Sequence, residues 1–331
     1  MNGVGEKLKI SVAMCTYNGA RFLREQLESI AAQTRTPDEL VVCDDRSTDE
    51  TRQIIEAFAA RAPFAVRFHV NEQNLGTTKN FARAIELSQG DIIALSDQDD
   101  VWQREKLGRT EAEFLSGAEV GLVFGDTEVT DESLRPLGYS MLWGNKLTAE
   151  DGEKLRAGRS FEVLLNRSIV TGATTAFRAR FKALVLPIPN DIGLVHDQWI
   201  ALVVAAVARA SFIEEPLIKY RQHTQQQVGI GVLRDSLNDK LAAARQTTAA
   251  SYLAAARPLE VLLERLHERA GEGFNAGARA QLEAKIGHLR ARAGMPKGRL
   301  RRVPVVIKEL LAAHYHQYSD GMNSALRDLL L

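Results

Sequence analysis

The chain has 331 residues, is 45% hydrophobic and 25% charged, and carries 42 Lys/Arg against 42 Asp/Glu. This composition excludes a disordered chain, a fibre and a disulfide-stapled module, and the length suits about two domains or one α/β domain with an appendage. The zero net charge offers no global field for nucleic acid, yet it hides a split: residues 232–331 hold 16 basic and 10 acidic side chains, which leaves residues 1–231 at −6.

Strand and helix signals alternate through the first 125 residues. Lys9–Cys15 (KISVAMC) predicts a strand, and Arg21–Gln33 a helix, with Phe22, Leu23, Leu27 and Ile30 at helical spacing. Glu39–Cys43 is a second strand; Ser47 or Thr48 is expected to cap a helix over Thr51–Ala60. Val66–Val70 predicts a strand, Thr77–Ser88 a helix, Asp91–Ser96 a strand, Gln103–Ser116 a helix and Val120–Phe124 a strand. Such alternation implies parallel pairing, with ligands at the carboxyl ends of the strands. Residues 131–160 show no period and are expected to form an excursion loop. Ile169–Arg178 predicts a strand whose internal glycine marks a close approach to the backbone. A helix over His196–Ala208 and strands over Ala210–Glu214 and Pro216–Arg221 follow. From Leu233 the signal is helical, strongest in Tyr252–Arg269, Gly277–Arg292 and Val303–Leu331, so a boundary is expected near Gly229–Gly231. The expected domains are residues 1–231, α/β, and 232–331, a helical extension.

The start, MNGVGEKLK, has no apolar leader core, so no signal peptide is expected. The longest apolar run, Trp199–Ala208, has ten residues, against roughly 20 for a membrane span. Cys15 and Cys43 sit in apolar runs and suit buried thiols in a reducing compartment. A cytoplasmic protein is expected, meeting any membrane-bound substrate from outside the bilayer. No P-loop, dinucleotide fingerprint, paired-Cys zinc spacing or nucleophile elbow is present.

The carboxylates are more telling. The second strand runs into Asp44-Asp45, and the fourth into Ser96-Asp97-Gln98-Asp99-Asp100. In a parallel sheet both ends open on one edge, where like charges are unfavourable unless a cation or ligand donors neutralise them. A hard divalent ion such as Mg²⁺ or Mn²⁺ suits oxygen ligands shared with phosphates. Each cluster also has a local explanation: DQDD as negative charge at a helix N-terminus, Asp44-Asp45 as a turn.

KISVAMCTYNGARFLREQLESI, VVCDDRSTDET, NEQNLGTTKNFARA and ALSDQDDVW together resemble the nucleotide-sugar half of a family 2 glycosyltransferase. TGATTAFR, HDQW and YRQH resemble the acceptor-side motifs of that family, in the same order, so the likeness covers roughly residues 8–228. SDQDDVW with YRQH is similar to the bacterial rhamnosyltransferase-like subgroup that builds surface polysaccharides such as O-antigen. The resemblance implies the GT-A fold: a Rossmann-like, mixed, mainly parallel sheet flanked by helices.

It also implies roles. Thr16, Tyr17, Asn18, Asp44 and Asp45 would hold the nucleotide, with Asp45 able to accept from a pyrimidine N3–H and so favour uracil or thymine. Asn74 and Gly76 shape the turn before a helix, and Lys79 would approach the diphosphate. Here the chain departs from the common family form, which has an Arg further from its Gly. Asp97 and Asp99 match the D-x-D metal motif, with Asp99 the direct ligand and His223 completing the shell. Gly172 would bring backbone to the donor sugar, Asp197 would be the catalytic base, and Gln198 and Trp199 would meet the acceptor. The implied reaction is metal-dependent, inverting transfer of a sugar from dTDP-rhamnose or a UDP-sugar to a hydroxyl of a glycan or polyprenyl-diphosphate-linked acceptor. The alternatives are a sugar-1-phosphate nucleotidyltransferase, whose Gly-rich basic loop CTYNGARF lacks, and a non-catalytic nucleotide- or carbohydrate-binding subunit.

Residues 285–308 contain eight Lys/Arg and no Asp or Glu. They read as a solvated basic face, as a surface for anionic headgroups or a lipid-diphosphate acceptor, or as part of a homo-oligomer contact. No nucleic-acid module is recognisable there.

Overall fold

The computed structural model describes residues 7–143, 147–224, 226 and 248–330. The chain divides into two compact units, Met1–Asn190 with Val195–Gly231, and Asp191–Leu194 with Val232–Leu331. The boundary expected at residues 229–231 lies outside the described residues.

The first unit is built on β1 (Ile10–Thr16), β2 (Glu39–Asp44), β3 (Ala65–Val70), β4 (Ile92–Ser96), β5 (Val101–Trp102), β6 (Val120–Gly125), β7 (Glu128–Thr130), β8 (Pro136–Ser140), β9 (Ala176–Arg178), β10 (Arg209–Ile213) and β11 (Ile218–Arg221). Seven of them form a sheet in the order β10-β6-β9-β4-β1-β2-β3. All pairs are parallel except the two made by β9, which runs antiparallel between β4 and β6. Every residue of β1, β2 and β4 is buried, as continuous apolar runs covered on both faces require. A second sheet has the order β5-β11-β7-β8.

The helices of this unit are α1 (Leu23–Ala31), α2 (Thr51–Ala59), α3 (Thr77–Leu87), α4 (Lys106–Leu115), α5 (Ala149–Arg156), α6 (Ser160–Asn166), α7 (Lys182–Val185) and α8 (His196–Ala205). α1 buries Leu23, Gln26, Leu27 and Ile30, one face at helical spacing, and α3 buries Asn80, Phe81, Ala84 and Ile85 in the same way. α3 packs on β1 and β2, while α8 packs on β6 and β10. These contacts bring the N-termini of α3 and α8 into the wall of one cavity (below).

Three expectations are corrected. Ser47 and Thr48 do not cap α2: Glu50 holds the cap position without a side-chain bond, and Ser47 Oγ instead accepts the Asn18 N–H and donates to Asp44. Residues 131–160 are not a bare loop. They hold β8, an edge strand without alternation, and α5, whose N-terminus carries a capping box between Thr148 and Asp151. Ile169–Arg178 is not one strand. Gly172–Thr174 forms a 3-10 turn, because the Thr174 and Thr175 hydroxyls both donate to the Thr171 carbonyl and compete with sheet pairing.

The second unit is helical: α9 (Ala249–Arg269), α10 (Ala276–Ala293), α11 (Arg299–Leu311), α12 (His314–Tyr318) and α13 (Met322–Leu330). The helix expected over Val303–Leu331 is three helices, broken where Ala313 takes φ 59° and Gly321 φ 56°. No helix among the described residues is long and apolar enough to cross a membrane.

Candidate active site

The register of the sheet sets the site. Thr16 at the end of β1 lies opposite Asp44 on β2, and Met14 lies opposite Ser96 on β4. The loops after β1, β2 and β4 therefore leave the sheet side by side, and both acidic clusters reach one edge. A cavity of about 350 Å³ opens there, and its lining includes Thr16, Tyr17, Asp45, Asp97, Asp99, Gly172, Asp197 and Gln198.

Each loop is held by its own side chains. Asp44 is buried and accepts from Thr16 Oγ1 at 2.8 Å and the Ser47 N–H at 2.8 Å. Asn18, at φ 48°, accepts the Thr48 N–H through its side chain. Both residues join the loops and neither lines the cavity. Asp45 is 3% exposed and accepts the N–H groups of Leu75 (2.7 Å) and Gly76 (2.8 Å), with Asn71 Nδ2 at 2.8 Å. It thus fixes the turn that starts α3, where Gly76 takes φ 78°. Asn74 adds a bond to the Asp45 carbonyl. Thr77, Thr78, Asn80 and Phe81 line the cavity from α3, but Lys79 between them does not: it is exposed, because the helix turns that position away.

The D-x-D loop is clamped from beneath. Arg221, 2% exposed, donates through Nε to the Asp99 carbonyl at 2.8 Å, and its guanidinium also meets Glu25 and the Glu132 carbonyl. The Arg221 N–H bonds the buried Asp100 carboxylate. Gln98 closes the front, accepting the Tyr17 N–H at 2.8 Å and donating to the Tyr17 carbonyl at 3.1 Å. A Cβ on Gly19 would stand 2.2 Å from Gln98 Oε1, so the loop passes there without a side chain. Asp97 and Asp99 are left to face the cavity, and His223 Nε2 lies 2.9 Å from Asp99 Oδ2, across 124 residues of sequence. His223 does not itself line the cavity; its ring rests on Phe22 at 4.7 Å. Burial, then the charges of Asp99 and Asp197, pushes the Asp97 carboxyl up to about 8. Burial, then the charges of Asp100, Asp97, Asp99 and Asp197, also raises the Tyr220 phenol.

At the start of α8, the Asp197 carboxylate accepts the Gly172 N–H at 2.9 Å and the Gln198 N–H at 2.6 Å. A Cβ on Gly172 would stand 2.8 Å from His196 Nε2, which explains the glycine in the turn. His196 is buried and stacked on Phe81 at 4.1 Å, and burial lowers its pKa. Trp199 is a correction: it is fully buried, its indole N–H donates to the Val185 carbonyl, and it has no surface for an acceptor. Residues 196–198 line the cavity, and the next residue, about 100° further round α8, faces the core. Sequence reasoning missed the roles of Gln98, Arg221, His196, Thr77 and Thr78; all five sit inside quoted motifs, but nothing in the motifs shows which side chain turns inward.

The donor set suits a divalent cation. Asp99 and His223 offer an oxygen and an imidazole nitrogen within hydrogen-bond distance, and Asp97 is a half-buried carboxyl whose ionisation desolvation and its acidic neighbours oppose. A cation would relieve that repulsion.

A mainly parallel sheet flanked by helices, with carboxylates at the ends of the two strands on either side of β1, matches the GT-A type of fold that the motifs imply. The glycosyl transferase family 2 profile matches residues 11–182, and the chain belongs to that family. An uncharacterized glycosyltransferase of Nostoc sp. is 28% identical over 218 residues, 65% of each chain. The dTDP-rhamnosyl transferase RfbG of Shigella flexneri is 28% identical over 232 residues, 66% of this chain and 74% of that one. The chain spans 65% of the Nostoc protein's length and 27% of that of an uncharacterized Mycobacterium tuberculosis protein, 37% identical over 94 residues. S. aureus TarS 1–349, solved with UDP-GlcNAc, superposes with a TM-score of 0.54 at 20% identity, over 94% of this chain and 89% of that one. That likeness is one of fold, and the GT-A architecture implied by the motifs is the one observed.

Proposed function

We propose that the first unit transfers a hexosyl group, with inversion, from a nucleoside-diphosphate sugar to a hydroxyl of a glycan or polyprenyl-diphosphate-linked glycan. The observation that carries this reading is the convergence of Asp99, paired with His223, and of the backbone-held Asp197 carboxylate on one cavity. dTDP-rhamnose leads the candidate donors, ahead of UDP-sugars. The name of the Shigella relative supports it, as does the subgroup likeness of SDQDDVW and YRQH.

In this reading the nucleotide lies between Tyr17 and the start of α3, with Asp45 as the acceptor beneath the base. Gly172 lets backbone approach the sugar, and Gln198 orients the acceptor. The acceptor oxygen bonds to the anomeric carbon while its proton passes to Asp197. The bond from that carbon to the diphosphate oxygen breaks, and its electron pair leaves with the diphosphate. General-base help of this kind contributes about 10²–10⁴-fold. Asp99, His223 and Asp97 are the residues that would hold Mg²⁺ or Mn²⁺. Such an ion supplies positive charge against the departing diphosphate. A donor panel assayed for nucleoside-diphosphate release with Mn²⁺ or Mg²⁺ tests the reading; neither binding nor release with any donor, in the presence of metal, would overturn it.

We further propose a cytoplasmic enzyme whose second unit meets an anionic membrane surface. α11 exposes Leu300, Val303, Ile307 and Leu311 in one stripe, beside exposed Arg299, Arg301 and Lys308. Apolar side chains beside cations suit the headgroup region of a bilayer, where each basic residue contributes about 1 kcal/mol.

A further inference from the structure

The second unit contains a cluster that the proposed reaction does not use. His288 belongs to α10, Glu309 to α11 and His314 to α12. Nδ1 of His288 lies 2.7 Å from Glu309 Oε2, and Nδ1 of His314 lies 2.9 Å from the same oxygen. The side chain of His288 is 0% exposed and that of Glu309 7%, while His314 keeps 24%. The two imidazoles stand edge to face, 6.0 Å between centroids. Two ring nitrogens and one carboxylate oxygen thus meet within 4.8 Å of one another.

We propose that His288, Glu309 and His314 form a structural zinc site that ties α10, α11 and α12 together. Two imidazoles and a carboxylate are a set that Zn²⁺ takes, at about 2.0–2.2 Å per ligand, with water able to fill a fourth position. Ligand atoms at tetrahedral angles and that bond length stand roughly 3.3 Å apart, so the present contacts need to open by only about half an ångström. The surroundings also suit a ligand. Nε2 of His288 lies 2.9 Å from Ser319 Oγ, which accepts from Arg292 Nη1 at 2.8 Å. A contact on the far nitrogen fixes the ring with Nδ1 toward the cluster, as outer partners of metal-bound histidines do. Arg292 is itself neutralised by Asp328, at 2.7 and 3.0 Å. His314, the partly exposed member, gives the ion a way in.

The competing arrangement is a metal-free one in which both rings donate Nδ1–H to Glu309. Two features favour the ion. The three ligands come from three separate helices, and among the described residues the apolar cluster joining α11, α12 and α13 has Val306, Tyr315 and Ala325 as its buried members, with Met295, Leu310 and Leu329 packed on them. The larger apolar contact of this unit lies between α9 and α10, so an ion shared by α10, α11 and α12 would tie the smaller cluster to it.

The test uses the full chain carrying Asp99→Ala, so that the cavity of the first unit is not a second strong site. After treatment with a chelator and its removal, Zn²⁺ alone is titrated by calorimetry, and thermal melts are recorded with and without it. The expected result is one equivalent bound and a higher melting temperature. Adding His314→Ala, a change at a partly exposed side chain, is expected to weaken binding on the order of 100-fold or more and to remove the thermal shift, with helical circular dichroism retained. Glu309→Gln serves as a second variant that keeps size and shape. No zinc bound by the Asp99→Ala chain overturns the proposal, as does unchanged binding after both His314→Ala and Glu309→Gln.

Discussion

Replacing Asp197 by asparagine separates charge from shape. The carboxylate accepts one N–H on each oxygen, from Gly172 at 2.9 Å and from Gln198 at 2.6 Å. Asparagine keeps one acceptor and turns an NH₂ group toward the other N–H, so two donors face each other. A polar group left without its partner in this way costs about 1–3 kcal/mol. For a domain of this size that corresponds to a melting temperature lower by about 2–12 °C. The chemical step should suffer more. Loss of a general base removes about 10²–10⁴-fold in rate, or about 3–5 kcal/mol of barrier lowering. Nucleotide affinity should hold, since Tyr17 and Asp45, and not Asp197, are the proposed nucleotide contacts. Steady-state release of nucleoside diphosphate, nucleotide titration and thermal melts on the same preparation read all three. A variant that melts lower but keeps kcat within about tenfold of wild type would show that the carboxylate only braces the Gly172 turn, and the base assignment would fail.

Three further outcomes are expected. Gly172→Ala should melt lower, by about 1–3 kcal/mol of overpacking, because its Cβ meets His196 Nε2 at 2.8 Å and that ring is already stacked on Phe81; an unchanged melting curve contradicts the close approach. Asp97 has a folded pKa of about 8, above its reference of 3.8. A carboxyl raised in this way contributes stability that is fully present below the unfolded value and is lost as pH rises through the folded one. Metal-chelated protein should therefore lose stability between about pH 4 and pH 8, Asp97→Asn should flatten that slope, and Mn²⁺ should stabilise wild type more at the alkaline end; parallel profiles for both proteins refute it. Finally, the chain should sediment with vesicles containing anionic lipid at low salt, and Leu300→Glu with Ile307→Glu should abolish this, whereas equal recovery with neutral vesicles removes the membrane reading.

Much of the site was legible before any coordinates because parallel strands have a simple consequence. Asp45 and Asp97 follow strands whose carboxyl ends lie beside that of β1, so both reach one cavity. Lys79 shows where such reading stops. It occupies the expected turn of α3, yet Thr77, Thr78, Asn80 and Phe81 line the cavity and Lys79 is exposed. A motif names the helix; its rotation is set by packing on β1 and β2.

The sequence by itself determined the alternation of strands and helices, the buried central strands, the acidic strand ends and the family. These depend on periodicity and composition over a few residues, which the chain carries locally. The tertiary structure decided which side chains meet. Asp99 reaches His223 across 124 residues because β11 returns beside β5, and the buried Arg221 at its end clamps the acidic loop. Trp199 went to the core rather than the cavity because α8 is apolar from that residue onward, and protein covers every residue from Trp199 to Ala205. Contacts of that kind are fixed by the path of the whole chain, and no short window of sequence contains it.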